Sequence, residues 1–398
     1  MSVHAPRRIC GVIAAGPPGG TRRDRSRASG GTRRDRGHAF GRSRAVIGPA
    51  LLVGYVADLV LGDPPHLHPV AGFGKLALRV ERASYAPTRR RGTIYAAGLI
   101  GCAALAAEGL ARAACRAGLG RGAALLALTW AALGGRSLRE QAAGIAAKLD
   151  DDDLQGARDA LPALVGRDTQ RLDADGVSRA LVESVAENTG DAVVGALLWG
   201  AVAGPPGVAG YRAANTLDAM IGHHSERYER FGWAAARIDD AMSWPAARAG
   251  AALAVLCAPV VGGSARTAWQ VLRRDGGAHP SPNAGQMEAS FAGALGVRLG
   301  GPLSYGGRVQ RRPSLGDGCP PTTRDVDRAA RLSLTVGAAT AVLCAGVGVG
   351  AATAVFCAGV GAARACVGAG RERSGAPREC VRATRHVAPI GAAKGRVR

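Results

Sequence analysis

LSLTVGAATAVLCAGVGVGAATAVFCAGVGAA, residues 332–363, holds no charged side chain from Leu332 to Ala363. At 1.5 Å per residue a helix needs about 20 residues to cross the hydrocarbon of a bilayer. The run exceeds that length, and its many glycines suit close helix packing in lipid. It predicts a membrane-crossing helix. Working outward, further apolar segments lie at 46–61, 93–115, 122–135, 192–213 and 246–263. The segment at 93–115 is long enough to cross but carries Glu108, and those at 46–61 and 122–135 are marginal. The polar stretches between them, 136–191, 214–245 and 264–331, are helical in pattern with little β-branched alternation. The expected class is therefore mainly α: a multi-pass helical integral membrane protein with sizeable polar helical segments.

The segment 192–213 is interrupted by Gly204-Pro205-Pro206-Gly207. About 12 residues precede the break, roughly 18 Å of helix, which is too short to span. One reading is a broken, re-entrant helix, tolerated at membrane depth only where it lines a protein-buried or watery cavity. That would turn the polar motifs on either side of the break toward one cavity. The other is an ordinary kinked crossing helix.

A net charge of +21 invites a nucleic-acid reading, but its placement argues against one. Residues 1–45 hold eleven Arg and two Asp, and residues 364–398 hold nine basic and two acidic residues, which leaves +5 for everything between. Aromatic residues, which single strands stack on, are only 4% of the chain. No nucleic-acid partner is expected. Basic tails beside a membrane rest naturally on anionic lipid. Residues 1–45 have no apolar period and are expected to be a disordered Arg-rich extension. The membrane-embedded domain is expected over 46–365 and a basic tail over 366–398. The nine cysteines form no CxxC or other paired metal spacing.

Several polar clusters adjoin the apolar runs. Arg179, Glu183, Glu187 and Asp191 recur every four residues and form one helical stripe, with Asn188 beside it. Such a stripe is often a solvated face of i,i+4 pairs. This one leads into an apolar segment, where a charge at mid-depth costs about 2.5–3.5 kcal/mol. Three carboxylates there suggest a hard cation such as Mg²⁺ held by oxygen, with Glu183, Glu187 and Asp191 as ligands. Arg212, Asn215 and Asp218 share a second face and offer a guanidinium for phosphate or carboxylate plus two oxygen ligands; a polar helix cap leaving the membrane is the alternative. Arg237 precedes the adjacent acids Asp239 and Asp240, of which at most one need face a site. His279-Pro280-Ser281-Pro282-Asn283 is a rigid turn with a possible proton carrier. Asp58 lies within the first apolar run, followed by Gly62-Asp63-Pro64 and His68-Pro69-Val70. No Walker A loop, G-x-S-x-G, H-E-x-x-H or G-x-G-x-x-G is present.

Taken together, five segments in order resemble the CobD/CbiB family of cobalamin biosynthesis: ADLVLGDPPHLHPVAGFGKL (57–76), LVGRDTQRLD (164–173), ESVAENTGDAVVGALLW (183–199), GPPGVAGYRAANTLDAMIGHHSERYERFGWAAARIDD (204–240) and SPNAGQMEASFAGALGVRLGGPLSYGG (281–307). The chain departs from the family pattern at Ser243, where Asn is usual, and at His223-His224. The resemblance implies an ATP-dependent amide ligase of the cell membrane. It would join the corrinoid adenosylcobyric acid to (R)-1-amino-2-propanol phosphate or a related amino alcohol phosphate, with Mg²⁺ and ATP. It would draw catalytic groups from Glu183, Glu187, Asn188, Asp191, Asn215, Asp218 and Asp240. Asp63, His68, Arg212, Arg237, His279 and Asn283 would contact substrates. The rival expectation is a multi-pass transporter or scaffold without catalysis, which would tend to show internal repeats; only the heptamer GGTRRDR near the N-terminus repeats.

Overall fold

Chain reversals fall where the sequence supplies caps. In the computed structural model, which describes residues 34–64, 68–223, 225–305 and 308–346 (backbone alone at 34–45 and 302–311), α1 covers Arg34–Leu61. The chain divides after Arg42 into two compact units, and the unit from Ser43 onward holds the helices and hairpin that build the site. His68 caps α2 (Pro69–Ser84), and Thr88 caps the long α3 (Arg89–Arg116). Gly134, in the left-handed conformation that costs glycine little, separates α4 (Gly120–Leu133) from α5 (Gly135–Asp150). Asp153 and Asp173 accept backbone N–H bonds at the starts of α6 (Leu154–Ala160) and α7 (Ala174–Asn188).

From α7 the chain runs through a π-helical turn, Thr189–Val194, into α8 (Gly195–Ala203), and there it breaks. Gly204 adopts φ +65°, Pro205 opens α9 (Pro205–Leu217), and α8 and α9 pack against each other as a helical hairpin. Gly207 is required there, since a Cβ would lie 2.0 Å from the Trp199 carbonyl oxygen. The break thus folds the chain back on itself as a hairpin and is not a kink within one continuous helix. A second π turn, Asp218–Gly222, precedes α10 (Tyr228–Phe231) and α11 (Trp233–Cys257). Then come α12 (Ala265–Asp275), capped by Ser264, α13 (Ala284–Leu295), β1 (Leu299–Tyr305), β2 (Arg308–Leu315) and α14 (Thr323–Gly346).

Among the described residues three helical stretches are long and apolar enough to cross a membrane: Arg89–Arg116, Trp233–Val261 and Thr323–Gly346, with Val46–Leu61 a shorter apolar helix. The chain is a mainly helical membrane protein. The rest of the charge-free run, 347–363, the basic tail and residues 1–33 lie outside the described residues. α1 begins ahead of the boundary drawn at 45 from composition. The antiparallel β1–β2 hairpin is a second departure, since 264–331 reads as helical. Its register slips between Gly300 and Gly301, which leaves Pro313 as the extra residue of a bulge, a place that suits a residue without an N–H.

Three apolar cores form. One joins α5, α6, α7, α12 and α13 with parts of α11 and α14; the second joins α1, α4, α8 and α9; the third joins α2, α3, α10 and the start of α11. The α7–α8 rod, α9 and α11 run between these cores, and the polar residues lie on them.

Candidate active site

The helical hairpin returns the chain to its starting depth. Asp191, in the first π turn, comes within electrostatic reach of Arg212 and Asp218 from the far side of the break and of Asp239 on α11. Both π turns carry an acid, Asp191 and Asp218, and such turns recur at functional sites. Arg212 Nη1 donates to Asn215 Oδ1 (2.9 Å), and Asn215 Nδ2 donates to Asp239 Oδ1 (3.4 Å). Ser243, at the position where the family usually has Asn, keeps Asp239 in place. Its hydroxyl donates to that carboxylate at 3.4 Å and meets Tyr211 OH at 3.2 Å. Asp240 stands near Asp218, whose carboxyl is pushed up to about 6 by burial and then by that neighbour. Asp191, Asp63 and Asp239 bear on the guanidinium of Arg212, whose buried Nε has no partner among the described residues. A cavity of about 290 Å³ opens beside them, lined in part by Asp63, His68, Gln141, Asn188 and Arg212. His68 Nε2 and Asp63 Oδ1 are 3.9 Å apart in it. A second, apolar cavity of about 280 Å³ between α2, α3, α4 and α9 shares Arg212 and Ala132 as a common wall.

One turn back along α7 the charges change sign. Arg167 donates to Glu183 (2.6 Å), both side chains being 6% exposed, and Gly300 N donates to the other oxygen of Glu183 (2.8 Å). Removing one partner of such a buried pair typically costs about 3–5 kcal/mol. Arg312 Nη1 donates to His279 Nε2 (2.8 Å), which leaves the ring proton on Nδ1, facing Ser281 O at 3.3 Å. Burial, and then the Arg312 charge, hold His279 below its usual range, so the ring is neutral. Glu288 on α13 is buried beside Glu183 and Glu187, and burial raises it well above the carboxylate range. Glu187 is exposed, yet Arg312, Glu183 and Arg167 surround it.

The stripe is therefore no solvated face, because Glu183 pairs with Arg167 from another segment and not along α7. The expected three-carboxylate metal site at Glu183, Glu187 and Asp191 is not assembled. Both oxygens of Glu183 are taken, and among the described residues no three His, Cys, Asp or Glu side chains form a metal-binding group. Mg²⁺ bound together with phosphates needs only one or two carboxylates. The donor set at Asp191, Asp218 and Asp239, with its surplus of negative oxygen, fits that mode.

Three of the expected substrate contacts have protein partners of their own. Asn283 donates its amide N–H to Asp240 O (2.9 Å) and accepts from Arg248 at its oxygen (2.7 Å), making it a strut. Arg237 is 67% exposed and pairs with Asp240 at 3.7 Å, so it stands outside the cavity. His279 holds Arg312 and is not placed as a proton carrier. Asp58 accepts from Arg136 N (3.3 Å) and so caps α5. Sequence reasoning missed Arg167, Arg312 and Glu288 as site residues. Glu288 is the one legible in hindsight, as the single charge in the otherwise apolar and small helix AGQMEASFAGAL.

Residues 51–333 match the family model described as CobD/Cbib protein. Among relatives, the cobalamin biosynthesis protein CobD of Mycobacterium tuberculosis strain H37Rv is 52% identical over 296 residues, which is 74% of this chain and 93% of the relative. The protein of the same name from Chromobacterium violaceum is 44% identical, covering 71% of this chain and 90% of its own length. That from Rhodobacter capsulatus is 43% identical, covering 71% and 91%. No solved structure matches the chain.

Proposed function

The chain belongs to the CobD/CbiB family of cobalamin biosynthesis proteins, and from that premise we propose that it is a multi-pass ligase of the cell membrane that forms an amide at the expense of ATP. It joins the free carboxylate of adenosylcobyric acid to the amine of (R)-1-amino-2-propanol phosphate, or of a related amino alcohol phosphate. The observation that carries this is the pairing of two oppositely charged halves along one stripe: acids with a lone guanidinium around Asp191, and guanidiniums with paired acids around Glu183.

The chemistry asks for both. A carboxylate is a poor acylating agent, and phosphorylation by ATP turns it into an acyl phosphate. One or two of Asp191, Asp218 and Asp239 would hold Mg²⁺ together with the phosphates, whose charge the ion neutralises when bound. Arg212, with its unpartnered Nε, supplies a fixed donor to a phosphoryl oxygen. The ammonium must lose a proton before its lone pair attacks the acyl carbon, and Glu187, the exposed acid of the stripe, would accept it. Attack then expels phosphate and leaves the amide. A cavity of about 290 Å³ is too small to swallow a corrin ring, so the macrocycle rests at its mouth and sends in one carboxylate arm.

The test is to incubate the purified protein in nanodiscs with adenosylcobyric acid, ATP, Mg²⁺ and aminopropanol phosphate and to look for the amide by mass spectrometry. Product that depends on all four supports the proposal. An inactive protein of intact fold would point to the transporter or scaffold alternative.

A further inference from the structure

The ligase reading brings two phosphorylated reactants to one site without saying where either phosphate sits. On the strength of that reading, we propose that Arg167 and Arg179 form the seat for the phosphate of the amine substrate, with Glu187 receiving its ammonium.

Arg167 is only half engaged. Its side chain is 6% exposed and Nη2 is held by Glu183, but Nη1 is buried with no partner among the described residues. Arg179 stands one helical turn before Glu183 on the same face of α7. Its Nε is likewise buried and unpartnered, and no ion pair holds its guanidinium among the described residues. Glycines at the base of the β-hairpin stand beside them. Gly300 and Gly301 have φ of +77° and +91°, and a Cβ on Gly301 would stand 3.5 Å from Arg179 Nη1. Two guanidiniums, each with a buried N–H group that has no partner among the described residues and Arg179 set against glycine backbone, ask for a multivalent anion.

The charge balance selects which one. Glu183 offsets one of the two cations, and Arg312 adds another positive charge nearby. A phosphomonoester, at about −1.5 to −2 near pH 7, matches that surplus without a metal. A polyphosphate with its Mg²⁺ fits the acid-rich half instead. Glu187 then gives the seat its second end. It follows Glu183 by four residues, a rise of about 6 Å, is exposed and has no protein partner among the described residues. A phosphate and an ammonium joined through a two-carbon spacer are separated by about 5 Å at ordinary bond lengths.

The full chain in nanodiscs is titrated calorimetrically, without adenosylcobyric acid, with three probes: 1-amino-2-propanol phosphate, isopropyl phosphate and ATP with Mg²⁺. Arg179→Gln is expected to weaken both monophosphates by about tenfold or more, the scale of one charged hydrogen bond, and to leave ATP affinity unchanged. Arg167→Lys, which keeps a cation beside Glu183 and so protects folding, should do the same. Glu187→Gln should weaken aminopropanol phosphate while sparing isopropyl phosphate. Unchanged monophosphate affinity in both arginine variants overturns the seat, and so does a loss confined to ATP, which would make it the nucleotide's. If these affinities behave as expected but no amide forms with all substrates present, the ligase reading falls and the seat stands.

Discussion

Gly207→Ala tests whether the α8–α9 hairpin sets the site. The new Cβ would lie 2.0 Å from the Trp199 carbonyl oxygen and 2.9 Å from Ala203 Cβ. Ordinary contact begins near 3.4 Å, so α9 must retreat from α8 by roughly 1.4 Å. Neither obstacle is the far end of a flexible side chain, so the backbone itself has to give. Overpacking of this kind costs about 1–3 kcal/mol, which lowers Tm by roughly 2–4 °C per kcal/mol. The larger effect falls on the reaction. Arg212 and Asn215 ride on α9, and displacing catalytic groups by about 1 Å can cost on the order of 10²-fold in rate. Gly210→Ala, three residues along the same helix, is the control. Its Cβ would meet Ala104 Cβ at 3.7 Å, an ordinary contact, and alanine favours the helix by about 1 kcal/mol. Amide formation and Tm by tryptophan fluorescence are measured for both in nanodiscs. Equal rates and equal Tm for the two variants would refute the argument that close approach at Gly207 positions the site.

Glu187→Gln should abolish amide formation while leaving Tm near that of the unsubstituted protein, because the side chain is exposed and has no ion-pair partner among the described residues; an ion-paired surface glutamate would instead lose up to about 1 kcal/mol. The rate should fall as pH drops through about 6, because Asp218, raised by burial and Asp240, is then protonated and cannot serve as an anionic ligand. A profile that stays flat down to pH 5 would remove Asp218 from the site. Asn283→Ala should cost about 1–3 kcal/mol by stranding Arg248 and the Asp240 carbonyl, and leave KM for each substrate unchanged; a raised KM with unchanged Tm would restore it as a substrate contact.

Periodicity and run length made the helical elements legible. The apolar segments at 93–115, 122–135 and 246–263 became α3, α4 and the latter part of α11 with the turn after it, because length and lack of charge are local properties of the chain. The GPPG break was legible as a break, but only the approach of Gly207 to Trp199 shows that it folds back. The β-hairpin was missed because its strands are short and rich in Gly, Pro and Arg, without apolar alternation. The acidic stripe was legible from its four-residue spacing on α7. Which of its members were free could not be read from spacing, since the partner of Glu183 comes from Arg167, sixteen residues upstream, and from Gly300 on the hairpin. Asn283 and His279 look like site residues in a linear motif and are struts in space, because their hydrogen bonds reach Arg248, Asp240 and Arg312.

The most direct measurement of the central claim is the fate of a carboxylate oxygen. Adenosylcobyric acid labelled with ¹⁸O in its free carboxylate is turned over with ATP, Mg²⁺ and aminopropanol phosphate, and the inorganic phosphate is analysed by mass spectrometry. Activation by phosphoryl transfer predicts one ¹⁸O in each phosphate released, with the other kept in the amide carbonyl. Amide formed with unlabelled phosphate, or no amide from a folded protein with all reactants present, would contradict the account.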